Sequence, residues 1–138
     1  MQALGKNMSP TLNKILYVED DPDIQVVAKI ALEVVGGFIL RSCSSGREAL
    51  EPASIDFAPD LMLLDVMMPE MDGPTTLACL RKMTQMLHTP AIFITAKVQP
   101  SEVEYLKSLG AIGVLAKPFD PMQLASQVRE LWEKSIAP

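Results

Sequence analysis

Five short apolar runs, separated by helix-like stretches and each followed by polar or turn residues, constrain this chain more than any other feature. They are Ile15–Val18, Phe38–Cys43, Leu61–Leu64, Ala91–Ile94 and Gly113–Ala116. The central run, Leu61-Met-Leu-Leu, shows no apolar/polar alternation and is preceded by Pro59-Asp60, so it reads as a strand buried on both faces. Asp65 then sits at that strand's carboxyl end, with Pro69 beyond it. Between the runs, Asp21-Pro22 supplies an N-cap and a proline at the first helical position. Ile24, Val27, Ala28, Ala31 and Val35 follow at helical spacing and predict an apolar stripe that ends at Gly36-Gly37. Ser45 to Glu48 predicts a capping box opening a short helix that Pro52 closes. Asp72-Gly73-Pro74 predicts a third helix through about Lys82, carrying Leu77 and Leu80 inward. Ser101 to Glu104 is a second capping box, for a fourth helix ending at Gly110. Asp120-Pro121 repeats the first device, for a last helix with Leu124, Val128, Leu131 and Trp132 on its buried face.

Strands alternating with helices through short loops imply βαβ units. The expected fold is α/β, (βα)5, with a five-stranded parallel sheet, doubly wound in the flavodoxin-like order 2-1-3-4-5. At 138 residues, 49% hydrophobic and 21% charged, the chain has material for one domain and one full core. Residues 1–13 show little periodicity and are expected to form a loosely ordered extension before a domain at 14–136. A net charge of -5 offers no basic surface, so a direct nucleic-acid partner is not expected. No apolar run reaches the ~18 residues of a membrane span and no signal core precedes residue 14, which predicts a cytoplasmic protein with no membrane partner. Cys43 and Cys79 lack CxxC spacing and read as free thiols.

Parallel strands carry their carboxyl ends to one edge of the sheet, where open α/β folds bind ligands. Glu19 and Asp20 follow the first strand, Asp65 the third, Thr95 the fourth and Lys117 the fifth. Three carboxylates brought together repel one another, and a hard divalent cation such as Mg2+ offsets that while keeping water and phosphate oxygens as its other ligands. With an ammonium and a hydroxyl nearby, Asp65 becomes a candidate nucleophile for in-line phosphoryl transfer.

Glu19-Asp20, Asp65 with Pro69, Asp72-Gly73, Thr95-Ala96 and Lys117-Pro118-Phe119 together resemble the receiver domain of bacterial two-component response regulators. The resemblance covers roughly residues 14 to 135. It implies that Asp65 takes a phosphoryl group from a sensor histidine kinase or phosphotransfer protein. It also implies that Mg2+ (or Mn2+) is held by Asp20, Asp65 and the backbone carbonyl of Met67, with Glu19 acting through water. Thr95 and Ala96 would meet the phosphoryl oxygens, Lys117 would pair with them, and Pro118 would follow a cis peptide. The implied readout is the face of the fourth helix, fifth strand and fifth helix, open to an unidentified downstream protein or to a second copy. The chain is expected to be a stand-alone regulator, and no enzyme beyond its own phosphorylation and dephosphorylation.

Val114 stands where receivers commonly carry an inward-turning aromatic ring, so a switch through backbone shifts or altered dimerisation is an alternative. Met67 and Lys97, each two residues past a site residue, flank the approach of attacking water. An aspartate-nucleophile phosphatase would need an acid at position 67, where Met stands; a non-phosphorylated scaffold would not need Glu19, Asp20, Asp65, Thr95 and Lys117 together. Asp21 and Asp72 read as helix caps, His88 as an exposed loop residue, and Met62, Met67, Met68 and Met71 as core and loop packing.

Overall fold

The computed structural model describes residues 11–137. All five apolar runs are strands: β1 (Lys14–Val18), β2 (Ile39–Cys43), β3 (Leu61–Asp65), β4 (Ala91–Thr95) and β5 (Gly113–Ala116). They form one parallel sheet in the order β2-β1-β3-β4-β5. Every residue of β3 and β4 is buried, which is why those runs lack alternation.

Six α-helices cover the sheet among the described residues: α1 (Pro22–Lys29), α2 (Gly46–Ala49), α3 (Pro52–Asp56), α4 (Gly73–Leu80), α5 (Pro100–Ser108) and α6 (Leu124–Ile136). One core packs Ile15, Tyr17, Leu63 and Ile94 against Ala28, Ala31, Leu32, Val128 and Trp132 of the helical layer made by the first and last helices. The opposite core packs Leu16, Met62, Leu64 and Phe93 against Ala49, Leu77, Leu80 and Leu106. Each fully buried Leu, Ile or Phe contributes roughly 1.5–3 kcal/mol to this arrangement.

The helices differ from expectation in four places. After Lys29 the first helix widens into a π-helical segment, Ile30–Val35, with Gly36 N–H donating to Ala31 O across five residues at 3.1 Å. The wider turn changes the phase of the stripe beyond it: Leu32 is buried and Val35 stands 46% exposed, while Val27, before the segment, is also 40% exposed. Pro52 does not simply close the second helix. It ends α2 and occupies the first turn of α3, because a proline disrupts a helix interior yet suits a first turn where no donor is needed. The same preference sets the start of α5 at Pro100, with Gln99 as N-cap, so the Ser101 capping box does not form. Asp120 accepts from Met122 N–H at 2.8 Å, but regular helix begins only at Leu124.

The caps at Asp21, Ser45 and Asp72 form as expected. Asp21 accepts from the backbone of Asp23 and Ile24, Ser45 from Glu48 at 3.1 Å, and Asp72 from Thr75 at 2.8 Å. Residues 1–10 of the expected extension lie outside the described residues, whereas Leu12 is already buried in the core and Asn13 N–H donates to Asp60. No helix among the described residues is long and apolar enough to cross a membrane.

Candidate phosphoryl-acceptor site

Register assembles the site. Val18 pairs with Leu64, Asp65 with Ile94 and Thr95 with Ala116, so Glu19, Asp65 and Lys117 emerge at one edge. The ladder runs one step past the strand ends: Glu19 N–H donates to Cys43 O, Val66 N–H to Ile94 O and Lys117 N–H to Thr95 O, at 3.0, 3.1 and 2.9 Å. Backbone pairing therefore fixes the residues that carry the charges.

Carboxylate oxygens of Glu19, Asp20 and Asp65 all lie within 4.8 Å of one another. Glu19 and Asp65 are buried and Asp20 is more open. Lys117 Nζ bridges the two buried acids, 2.9 Å from Glu19 Oε1 and 3.1 Å from Asp65 Oδ1. The other Glu19 oxygen accepts from Asp21 N–H at 3.1 Å, whereas Asp65 Oδ2 is buried with no hydrogen-bond partner among the described residues. An orphaned carboxylate oxygen is costly unless something else binds it.

Burial pushes the Glu19 carboxyl up to about 7, with the nearby Asp65 adding to the rise, against the opposing pull of Lys117 and of the Asp21 N–H. Burial pulls Lys117 down, but its bonds to Glu19 and Asp65 outweigh that and hold it above its ordinary value. Burial, with the charges of Glu19, Asp65 and Asp21, drives the Tyr17 phenol far up. Among the described residues the edge thus sets one lysine against three acids and is short of positive charge. The donor set is hard oxygen only, and with the orphaned Oδ2 it fits an Mg2+-type cation.

Thr95 is buried and its hydroxyl oxygen accepts from Lys97 N–H at 3.0 Å, which leaves the hydroxyl proton free to donate elsewhere. The Lys117-Pro118 peptide is cis. Ile24, Val27, Ala96, Lys117 and Phe119 line an apolar cleft of about 440 Å³ beside the acids.

The sequence matches the response regulator receiver domain family over residues 15–129. The chain belongs to that family. This receiver is 37% identical over 124 residues to the transcriptional regulatory protein CpxR of Escherichia coli K12, a match covering 90% of the chain and 51% of CpxR. It is 33% identical over 120 residues to the response regulator SaeR of Staphylococcus aureus USA300, covering 87% of the chain and 50% of SaeR. The receiver therefore spans about half the length of these curated relatives. Among solved structures, it resembles chemotaxis protein CheY4 of Vibrio cholerae with a TM-score of 0.78 and 30% identity, over 88% of this chain and 99% of that one.

Several residues that shape the receiver's edge were not legible in advance. Gln25 donates its side-chain amide to the Glu19 carbonyl and to Ser44 Oγ, tying the start of α1 to the β1 and β2 ends. Gly73 packs directly against the backbone of Asp65: a Cβ there would lie 3.1 Å from the Asp65 carbonyl carbon and closer still to its oxygen. Gly73 N–H also donates to Val66 O at 2.8 Å. Asp72-Gly73 entered the sequence reading as a helix start and as part of the receiver resemblance, but not as this contact: the glycine is what allows α4 to begin against the Asp65 backbone. His88 is exposed, Met62 and Met68 are buried, and Met67, two residues past Asp65, is 63% exposed.

Proposed function

We propose that this receiver takes a phosphoryl group onto Asp65 from a phosphohistidine of a sensor histidine kinase or phosphotransfer protein. The observation that carries this reading is the asymmetry of Asp65: Oδ1 is held by Lys117 while Oδ2 is buried and unpartnered. Attack by the carboxylate forms a P–O bond as the donor's P–N bond breaks, and the departing electron pair stays on the imidazole nitrogen, which takes a proton.

Asp20, Asp65 and the Met67 carbonyl would hold Mg2+, or Mn2+, with Glu19 acting through water. The ion would neutralise charge developing on the transferred group. Lys117 is placed to leave Asp65 Oδ1 for a phosphoryl oxygen, retaining Glu19 as its other partner. Thr95 would donate its free hydroxyl proton to a second phosphoryl oxygen, next to Ala96. The apolar cleft beside Lys117 gives a donor protein a surface from which to approach.

Phosphorylation adds about -1.5 to -2 charge and three acceptor oxygens, which draws Lys117 and Thr95 toward Asp65. Their loops lead directly into α6 and α5, so the readout is docking of a downstream protein on the α5–β5–α6 face. Val114 is half-buried against Phe93 and its neighbours, so the switch here works without an aromatic ring at that position. Action in the cytoplasm is part of the same proposal.

Intact-mass measurement after incubation with acetyl phosphate tests it. The expected result is a gain of one phosphoryl group that requires Mg2+, is blocked by EDTA and disappears in Asp65→Asn. A wild type that gains nothing, or a variant that gains equally, would overturn the assignment.

A further inference from the structure

The first helix is apolar on two sides, and only one of them is used by the core. Ala28, Ala31 and Leu32 pack beneath it. On the outer side Val26, Ile30 and Val34 are 60%, 52% and 76% exposed, and Val27 extends the patch on one flank. A contiguous exposed apolar patch marks an interaction surface. Val26, Ile30 and Val34 recur every four residues and all face outward, the last two within the π-helical segment. Lys29 and Glu33 lie together on the flank opposite Val27.

We propose that this stripe docks a second copy of the chain, helix against helix and antiparallel, with the two-fold axis at Ile30. Two features select a second copy over an unlike partner. The stripe is palindromic, with a valine four residues to either side of Ile30. A two-fold axis there lays Ile30 on Ile30 and Val26 of each copy on Val34 of the other, which is the self-complementarity an isologous interface requires. The flanking charges are complementary under the same operation. In an antiparallel pair like flanks meet, and Lys29, one residue before the axis, falls within about 3 Å of axial rise of Glu33 of the second copy, three residues beyond it. Two Lys29–Glu33 pairs result, one at each end of the contact.

This interface is carried by the first helix, which shares a layer with α6, and does not rest on the phosphorylation reading. A single helix pair falls toward the small end of specific interfaces, so the association is reversible and concentration-dependent.

Sedimentation equilibrium of the full chain over a range from micromolar to about millimolar tests it, the upper limit being where weak contacts of about -4 kcal/mol register. The expected result is a monomer–dimer equilibrium weakened about tenfold or more by Ile30→Glu or Val34→Glu. Both side chains are already exposed, and thermal melting confirms that each variant remains folded. Lys29→Glu and Glu33→Lys each weaken the dimer severalfold, and the double variant restores it, an outcome that general stickiness does not produce. A wild type that stays monomeric throughout overturns the proposal, including the case in which Ile30→Glu instead impairs binding of a phosphodonor protein. A dimer indifferent to Ile30→Glu, or a double variant that fails to restore association, overturns it as well.

Discussion

Two aspartates bracket β3, and they are treated in opposite ways. Asp60, just before the strand, has one carboxylate oxygen that accepts from both Asn13 N–H and Lys14 N–H, each at 2.9 Å. It ties the start of β1 to the start of β3, and the backbone satisfies it. Asp65, the strand's last residue, is more deeply buried, yet one of its oxygens is held only by Lys117 and the other by nothing. A carboxylate satisfied by backbone donors is a structural fastening. One buried with a free oxygen fits the acceptor role proposed for Asp65, and its cost is met by the rest of the fold.

The largest effect should come from removing the cation that makes this tolerable. Lys117→Met leaves Glu19 and Asp65 facing each other without their shared partner, and is expected to cost about 3–5 kcal/mol in metal-free protein at pH 8. Urea unfolding measures it. The loss should shrink at pH 5, where Glu19 takes up a proton.

A pH titration of the wild type probes the same edge more gently. The native Glu19 carboxyl stands at about 7 against an ordinary 4.5, so the folded state binds the extra proton. Its stabilisation is complete below about 4.5, declines as pH rises to about 7 and is absent above. Metal-free protein should therefore lose on the order of 1–3 kcal/mol from this group between pH 5 and pH 8. Mg2+ should recover stability at pH 8, since it favours the ionised acids. A stability that rises across that window, or one untouched by Mg2+, would contradict the electrostatic account.

A smaller test concerns Tyr17, whose hydroxyl is buried beneath the acids without a partner. Tyr17→Phe removes an unsatisfied group while keeping the ring, and should leave stability unchanged or raise it by up to about 1 kcal/mol. A loss of 2 kcal/mol or more would reveal a bond on which the edge depends.

These contrasts explain what could be read ahead of the structure. The strand order and the convergence of Glu19, Asp20, Asp65, Thr95 and Lys117 on one edge follow from parallel pairing, which local sequence specifies well. Both aspartates flanking β3 were visible, with Asp65 already singled out as a nucleophile, but Asp60's role as a fastening was not, because its partners lie 46 and 47 residues away. The Lys117 bridge to Glu19 and the approach of Gly73 to Asp65 depend on tertiary placement in the same way. In the helices, Pro100 overrode the capping pattern that Ser101 suggested, and Pro52 opened a further helix instead of only closing one. The π-helical segment in the first helix left no local signal beyond an excess of apolar residues, and that excess is the outward stripe around Ile30.

The central claim is that Asp65 is held for chemistry and Asp60 for structure. Its most direct test is a paired measurement on Asp65→Asn and Asp60→Ala, each assayed by intact mass after acetyl phosphate with Mg2+ and by urea unfolding. The predicted result is a crossing: Asp65→Asn gains no phosphoryl group but keeps its stability to within about 0.5 kcal/mol, while Asp60→Ala is phosphorylated like the wild type but loses about 1–3 kcal/mol. An Asp65→Asn protein that is still phosphorylated, or that unfolds as readily as Asp60→Ala, would contradict it.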